Sequence, residues 1–211
     1  MTGPLDSVLA FHNAFRADIK KIDAAALDLA RGGQGEKPNL ERFRFFNEVL
    51  AWHARGEELV VFPALERIAP RLAEPYTVDH RGLDTLSDML SEAVTAGDPL
   101  ATARATATFK FHLDIHLRKE DAQLYPLIRE RLTASDLADM AGTLSKSVPQ
   151  DRYPEAVAWL FPLLDVTDRE NVMRNFQMLM PPPVFAGVAQ LVRKAIGDDW
   201  AELTRRIPSL V

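Results

Sequence analysis

Cysteine is missing from all 211 residues. Its absence excludes disulfides, thiolate zinc sites, iron–sulfur clusters and cysteine nucleophiles. Basic charge is also scarce: 25 Lys and Arg stand against 30 Asp and Glu, for a net charge of −5 and a pI near 5.6. No stretch is rich in Lys or Arg, so neither nucleic acid nor an anionic membrane surface is an expected partner. Apolar runs are too short to span a bilayer. The opening MTGPLDSVLAFHNAF has no basic leader ahead of an apolar core, so no signal peptide is expected and a cytoplasmic location is. No segment shows the strict alternation of half-buried strands joined by hairpin turns. The expected fold class is all-α.

What the chain does have is one pattern written twice. Residues 53–65 read HARGEELVVFPAL and residues 116–128 read HLRKEDAQLYPLI, an offset of 63 positions. His53 matches His116, Glu57 matches Glu120, Glu58 matches Asp121, Phe62 matches Tyr125, and Pro63 matches Pro126. Each copy holds His-x-x-x-Glu, which on a helix puts imidazole and carboxylate one turn apart on one face.

Four long helices are predicted in the first part. The first begins near Pro4 and Asp6, ends at Gly32-Gly33, and carries a seam of Leu5, Val8, His12, Phe15, Ile19, Ile22 and Ala26, stepping by three or four. The second runs from about Leu40 to Leu65 with seam residues Phe43, Phe46, Leu50, His53, Glu57, Val60 and Ala64, and Pro63 is expected to bend or end it. A third, from about Thr77 to Ala96, places His80, Leu83, Ser87 and Leu90 inward. The fourth, from about Leu100 to Leu132, does the same with Phe109, His112, His116, Glu120, Leu124, Leu127 and Arg131. Residues 133–211 read differently, as shorter helices broken by Pro149, Pro154 and Pro181 to Pro183, with Thr167 to Glu170 patterned as a capping box. Two domains follow: 1–132, and a helical extension 133–211 that packs on the first or on a partner.

All five histidines of the chain (His12, His53, His80, His112 and His116) fall on these seams. A single seam histidine is ordinarily a satisfied core residue. Here each of four helices supplies one, and two helices add a glutamate. A carboxylate buried without a partner costs several kcal/mol, and the first three seams carry no Lys or Arg, so metal cations are the expected compensation. Imidazole and carboxylate suit iron, manganese or zinc, and spacing alone does not choose among them. Two helix pairs, each giving one histidine and then His-x-x-x-Glu, suit two metals bridged by Glu57 and Glu120.

The order H, HxxxE, H, HxxxE, with E-E-x-x-x-F-P and E-D-x-x-x-Y-P tails, resembles the hemerythrin-like (HHE cation-binding) family over residues 5–132. The resemblance implies an up-down four-helix bundle holding a non-haem di-iron centre, two iron ions bridged by carboxylates and an oxo or hydroxo group. It implies His12, His53, Glu57, His80, His116 and Glu120 as metal ligands. The sequence also looks like the iron-sensing hemerythrin domains attached to ubiquitin ligases, although no RING or F-box segment is visible. It departs from the oxygen-carrying members, which have a second histidine on the third helix and end on a differently spaced aspartate ligand. Instead His112 precedes His116 by one turn, as an additional ligand or as a group hydrogen-bonding a bound water or carboxylate. Glu58 and Asp121 point off the seam toward orienting or surface roles. Tyr76, four residues before His80, is a candidate contact for a small ligand, with helix packing as its plainer role.

From this, the favoured function is a redox-active di-iron protein that binds and breaks down dioxygen, peroxide or nitric oxide with an electron donor not identified by sequence. His112 and Tyr76 would be its proton donors. The alternative is an iron or oxygen sensor, or an interaction protein, whose metal-ordered bundle signals through the C-terminal helices to a protein partner or a second copy.

Overall fold

A computed structural model describes residues 3–33 and 37–210, and among them there are helices and no strand. The helices are α1 (Asp6–Ala30), α2 (Lys37–Gly56), α3 (Phe62–Ile68), α4 (Glu74–Ala96), α5 (Pro99–Lys119), α6 (Tyr125–Arg131), α7 (Ala134–Leu144), α8 (Tyr153–Leu160), α9 (Val166–Leu179), α10 (Pro182–Ile196) and α11 (Trp200–Arg206). No helix is long and apolar enough to cross a membrane among the described residues.

Local chemistry explains where the long helices stop. Gly32, just beyond α1, takes φ of +82°, and Gly97 closes α4 at φ of +68°, a region other residues enter only with strain. One residue later Asp98 caps α5, its carboxylate accepting from the N–H groups of Leu100 and Ala101 while Pro99 occupies the first turn. The capping box of the C-terminal region lies at Thr133 and Asp136, before α7. At α9 the cap is Asp165, two residues ahead of the Thr167 expected from sequence, and Glu170 is engaged by Arg174 and Arg206 instead.

Pro63 and Pro126 do not end their helices. Each stands just past a wide π turn, Glu57–Val61 between α2 and α3 and Glu120–Leu124 between α5 and α6. The N–H of Phe62 reaches back to the carbonyl of Glu57, and that of Tyr125 to Glu120, five residues rather than four. A proline has no N–H and crowds the carbonyl four residues before it, and a widened turn relieves both. The extra residue shifts one expected position in each seam, while Ala64 and Leu124 are buried as expected. Val61 is buried where Val60 was expected, and Ile128 where Leu127 was.

The described residues form two compact units. One comprises residues up to Ala14 with those from Leu132 onward, and the other runs from Phe15 to Arg131. Helix α1 therefore contributes its first part to one and its remainder to the other.

In the unit from Phe15 to Arg131, α4 packs along α5, and aromatic contacts join α1, α2 and α5. Phe15 meets Phe46 edge-on at 5.5 Å, and Phe43 meets Phe109 at 5.5 Å. Buried Asp18 on α1 is paired with Arg42 on α2 at 2.8 Å.

The second unit centres on α8, α9 and α10. Its nearly buried Arg169 donates to the Phe161 carbonyl at 2.9 Å and to Asp199 at 2.7 Å. The chain's start belongs here as well. The Asn13 amide donates to Asp168 at 2.7 Å, and buried Asn175 reaches the carbonyls of Gly3 and Pro4.

Candidate metal centre

The expected seams bring together side chains from α2, α4 and α5 with the first residue of each π turn. Glu57, His80, His116 and Glu120 are all buried and offer four ligand atoms that lie within 4.8 Å of one another. His53, Glu57 and Glu120 meet the same limit, so both carboxylates are common to two sets. Glu57 and Glu120 are 0% exposed.

Each Nε2 faces a carboxylate. His53 Nε2 lies 3.3 Å from Glu57 Oε1, His80 Nε2 lies 3.4 Å from Glu57 Oε2, and His116 Nε2 lies 3.3 Å from Glu120 Oε1. Ligands on bonds near 2.1 Å at right angles around one ion stand about 3 Å apart. His80 Nε2 is buried with no hydrogen-bond partner in the structure. A buried imidazole nitrogen aimed at buried carboxylates, in a set of nitrogen and oxygen donors without sulfur, fits a divalent cation such as iron, manganese or zinc.

The opposite ring nitrogens are also engaged. His80 Nδ1 sits 3.0 Å from Glu58 Oε1, and His116 Nδ1 sits 3.4 Å from Asp79 Oδ2, which Lys119 pairs in turn. A carboxylate behind the ring fixes its tautomer and directs Nε2 inward. Glu58 therefore acts across helices on His80, while its counterpart Asp121 pairs with Arg16 at 2.5 Å.

Protonation follows from this crowding. Burial, and then the charge of Glu57, pushes the Glu120 carboxyl well above its ordinary range. Burial, and then the neighbouring His80, pulls His116 down to about 4. For His80 burial acts downward, but the nearby Glu57 and Glu58 carboxylates outweigh it and the result is raised.

One participant carried no role in the sequence reading. The hydroxyl of fully buried Tyr125 donates to Glu57 Oε1 at 2.5 Å, and burial followed by the Glu57 charge drives its pKa well up. The signal was present in the repeat: where one copy has Phe62, the other has a phenol at a core position, and a buried phenol needs an acceptor.

His112 is not brought to the cluster. It is exposed, and its Nδ1 lies 2.9 Å from the Thr108 carbonyl one turn back. At about 100° per residue, position 112 falls nearly a quarter-turn off the face carrying Phe109, Leu113, His116 and Leu117. Tyr76 is buried and packs on Phe62, which in turn lies against His80 at 5.1 Å, with the Lys119 ammonium 5.4 Å from the Tyr76 ring. That is the packing role. His12 is fully buried on α1, in the part of that helix grouped with the C-terminal residues.

Between α2 and α4 a small cavity of about 20 Å³ reaches His53, His80 and His116, and Asn47, Leu50, Ala51, Ala54, Leu83 and Asp84 complete its lining. It has room for one water-sized ligand.

No family model matches the chain, and no solved structure does. Three curated relatives match, all from Arabidopsis thaliana. The zinc finger protein BRUTUS is 24% identical over 185 residues, covering 84% of this chain and 15% of that protein. Two BRUTUS-like zinc finger proteins are 24% and 23% identical over 188 and 193 residues. The chain spans only about 15% of the length of these relatives.

Proposed function

We propose that this chain is a hemerythrin-like iron-binding module that acts as an iron or oxygen sensor, its metal-ordered bundle signalling through the C-terminal helices. The observation that carries the metal reading is the sharing of Glu57 and Glu120 by two sets of ligand atoms, with His80 Nε2 buried and aimed among them. In this reading α1, α2, α4 and α5 form an up-down four-helix bundle. His53, Glu57, His80, His116 and Glu120 hold two iron ions with His12 as the remaining ligand. Both carboxylates would be shared by the two ions, with the oxo or hydroxo group that the resemblance implies. Bound iron would supply redox chemistry and an affinity for small oxygen species. The protein's part is to keep the carboxylates dry, to aim His80 through Glu58 and His116 through Asp79, and to fix Glu57 through Tyr125.

Two observations favour sensing. The matched segment recurs as a small part of much longer proteins, as expected of a module that reports to other domains. Of the two proton donors that oxidant breakdown calls for, His112 stands on the surface and Tyr76 is packed against Phe62. The cavity against the imidazoles supports the second reading, handling of dioxygen, peroxide or nitric oxide, which ranks behind.

Metal analysis with the visible spectrum of wild type and His116→Ala tests the first step. About two irons per chain in wild type, with marked loss in the variant, are expected. Equal metal in both proteins, or none in wild type, rejects the site. Protease sensitivity of residues 133–211 with and without iron then tests the signal, and oxidant consumption by the iron-loaded protein tests the second reading.

A further inference from the structure

We propose that the metal enters through the cavity between α2 and α4, meeting the imidazoles before the carboxylates, with Asp84 as the attracting group at its mouth. This rests on the metal-binding reading above and adds the route.

Exposure sets the order of encounter. The His53 side chain keeps 10% of its surface in solvent, His80 4% and His116 3%, whereas Glu57 and Glu120 keep none. All three imidazoles line the one cavity described at the centre. An ion arriving there meets imidazole nitrogen first and carboxylate oxygen after it.

The opening has a cause in sequence. Along α2 the wall is Asn47, Leu50, Ala51, His53 and Ala54, and two of these five, Ala51 and Ala54, are small. Across from them α4 offers Leu83 and Asp84, one turn beyond His80. Larger side chains at 51 and 54 would close the gap, since both positions face solvent at least in part. Helix α4 packs far more extensively along α5 than along α2, so this seam is the looser one. Asp84 is exposed and contributes a carboxylate beside the gap, and Asn47 a carbonyl oxygen, both suitable as transient partners for a hydrated cation.

The test is the rate at which metal-free full-length protein takes up Fe(II), followed by stopped-flow absorbance under anaerobic conditions, alongside metal per chain at equilibrium. The variants are Ala51→Phe/Ala54→Leu, which plugs the gap, and Asp84→Asn, which removes the attracting charge. Ala107→Phe, on the exposed face of α5, is the control. The plugged variant is expected to load about tenfold more slowly or worse, because entry then waits on local opening of the helices. Asp84→Asn is expected to load roughly threefold more slowly, with the deficit shrinking as salt is raised. Final metal content and circular dichroism should match wild type in both, and the control should load normally. Normal loading rates in both variants overturn the route while leaving the site intact. If the plugged protein fails to fold, Asp84→Asn decides, and a wild-type rate there overturns the proposal. A wild type that binds no metal at equilibrium rejects the metal reading itself.

Discussion

Glu57 is fixed from three sides, by the Tyr125 hydroxyl at 2.5 Å, His53 at 3.3 Å and His80 at 3.4 Å. The equivalent of Tyr125 in the other copy is Phe62, which has no hydroxyl, so the two halves of the centre are chemically unequal although their ligand patterns repeat. Tyr125→Phe removes the donor and leaves its volume. In the metal-free protein it should lower stability by about 1–2 kcal/mol, read as a shift in the urea midpoint with unchanged slope. An unchanged midpoint would mean that this hydrogen bond carries no stability.

Protonation gives a second expectation at this scale. In the folded metal-free protein Glu120 and His80 are raised, so over the range between their unfolded and folded values the native state binds more protons than the unfolded one. Stability is therefore lost as pH rises through the folded values. His116 has the opposite sign: its folded value is lowered to about 4, so its contribution grows from about pH 4 to the unfolded value near 6.5 and is constant above. Above about pH 6.5 only the raised groups act, and the metal-free protein should lose stability with rising pH. If His80 is a ligand it must be neutral to bind metal, so affinity strengthens as pH rises through its raised folded value. The increase in Tm caused by saturating Fe(II) or Zn(II) should accordingly grow between pH 6.5 and 8.5, measured by scanning calorimetry. A metal-induced shift that shrinks over that range would contradict the assignment of His80 as a ligand.

At the level of helices, the repeat makes most of the site readable. Helical spacing of three and four places Phe15, Ile19, Phe46, His80, Leu83 and Leu90 inward, and all are buried. What spacing misses is the change of period at Glu57 and Glu120. Through each π turn an α-helical count drifts by a residue, which is why Val60 and Leu127 were expected where Val61 and Ile128 lie, although Ala64 is buried as counted. The two prolines are the available signal; Pro63 is expected to bend or end its helix, and what it marks is a widened turn. His112 failed for a different reason: it shares spacing with His116, but a residue one turn away differs by about 40°, enough at the edge of a buried face to put it in solvent. Pro63→Ala/Pro126→Ala tests the role of the widened turns. Alanine restores the missing N–H and allows ordinary helical bonds, so circular dichroism should show equal or greater helicity. Val61, Phe62, Tyr125 and Ile128 would then be turned away from their present faces. Metal affinity should fall by about tenfold or more through loss of the Tyr125 contact and of ligand orientation, measured by competition with a chromophoric chelator. Undiminished affinity would make the π turns a by-product of the prolines.

Across the whole molecule, α1 is the helix that contributes residues to both compact units. Its first part, which carries His12, is held by Asn13 to Asp168 and flanked by the Gly3 and Pro4 carbonyls that Asn175 engages, and its remainder joins α2 through the Asp18–Arg42 pair and α5 through Asp23 and Lys110 at 2.6 Å. If iron orders one end of this helix through His12, linkage requires the C-terminal helices to influence iron affinity to the same degree that iron influences them. The full-length double variant Asn13→Ala/Asn175→Ala loosens the start of α1 without touching any proposed ligand. It should unfold at lower temperature and bind Fe(II) more weakly by about fivefold or more, the lower end of ordinary coupling between sites. Iron should also protect residues 133–211 from protease less well in this variant than in wild type. A variant that is less stable yet binds iron with wild-type affinity would show that the centre and the C-terminal helices are energetically separate. The sensing reading would then fail even with the metal site intact, and handling of small oxidants would become the better account of the iron.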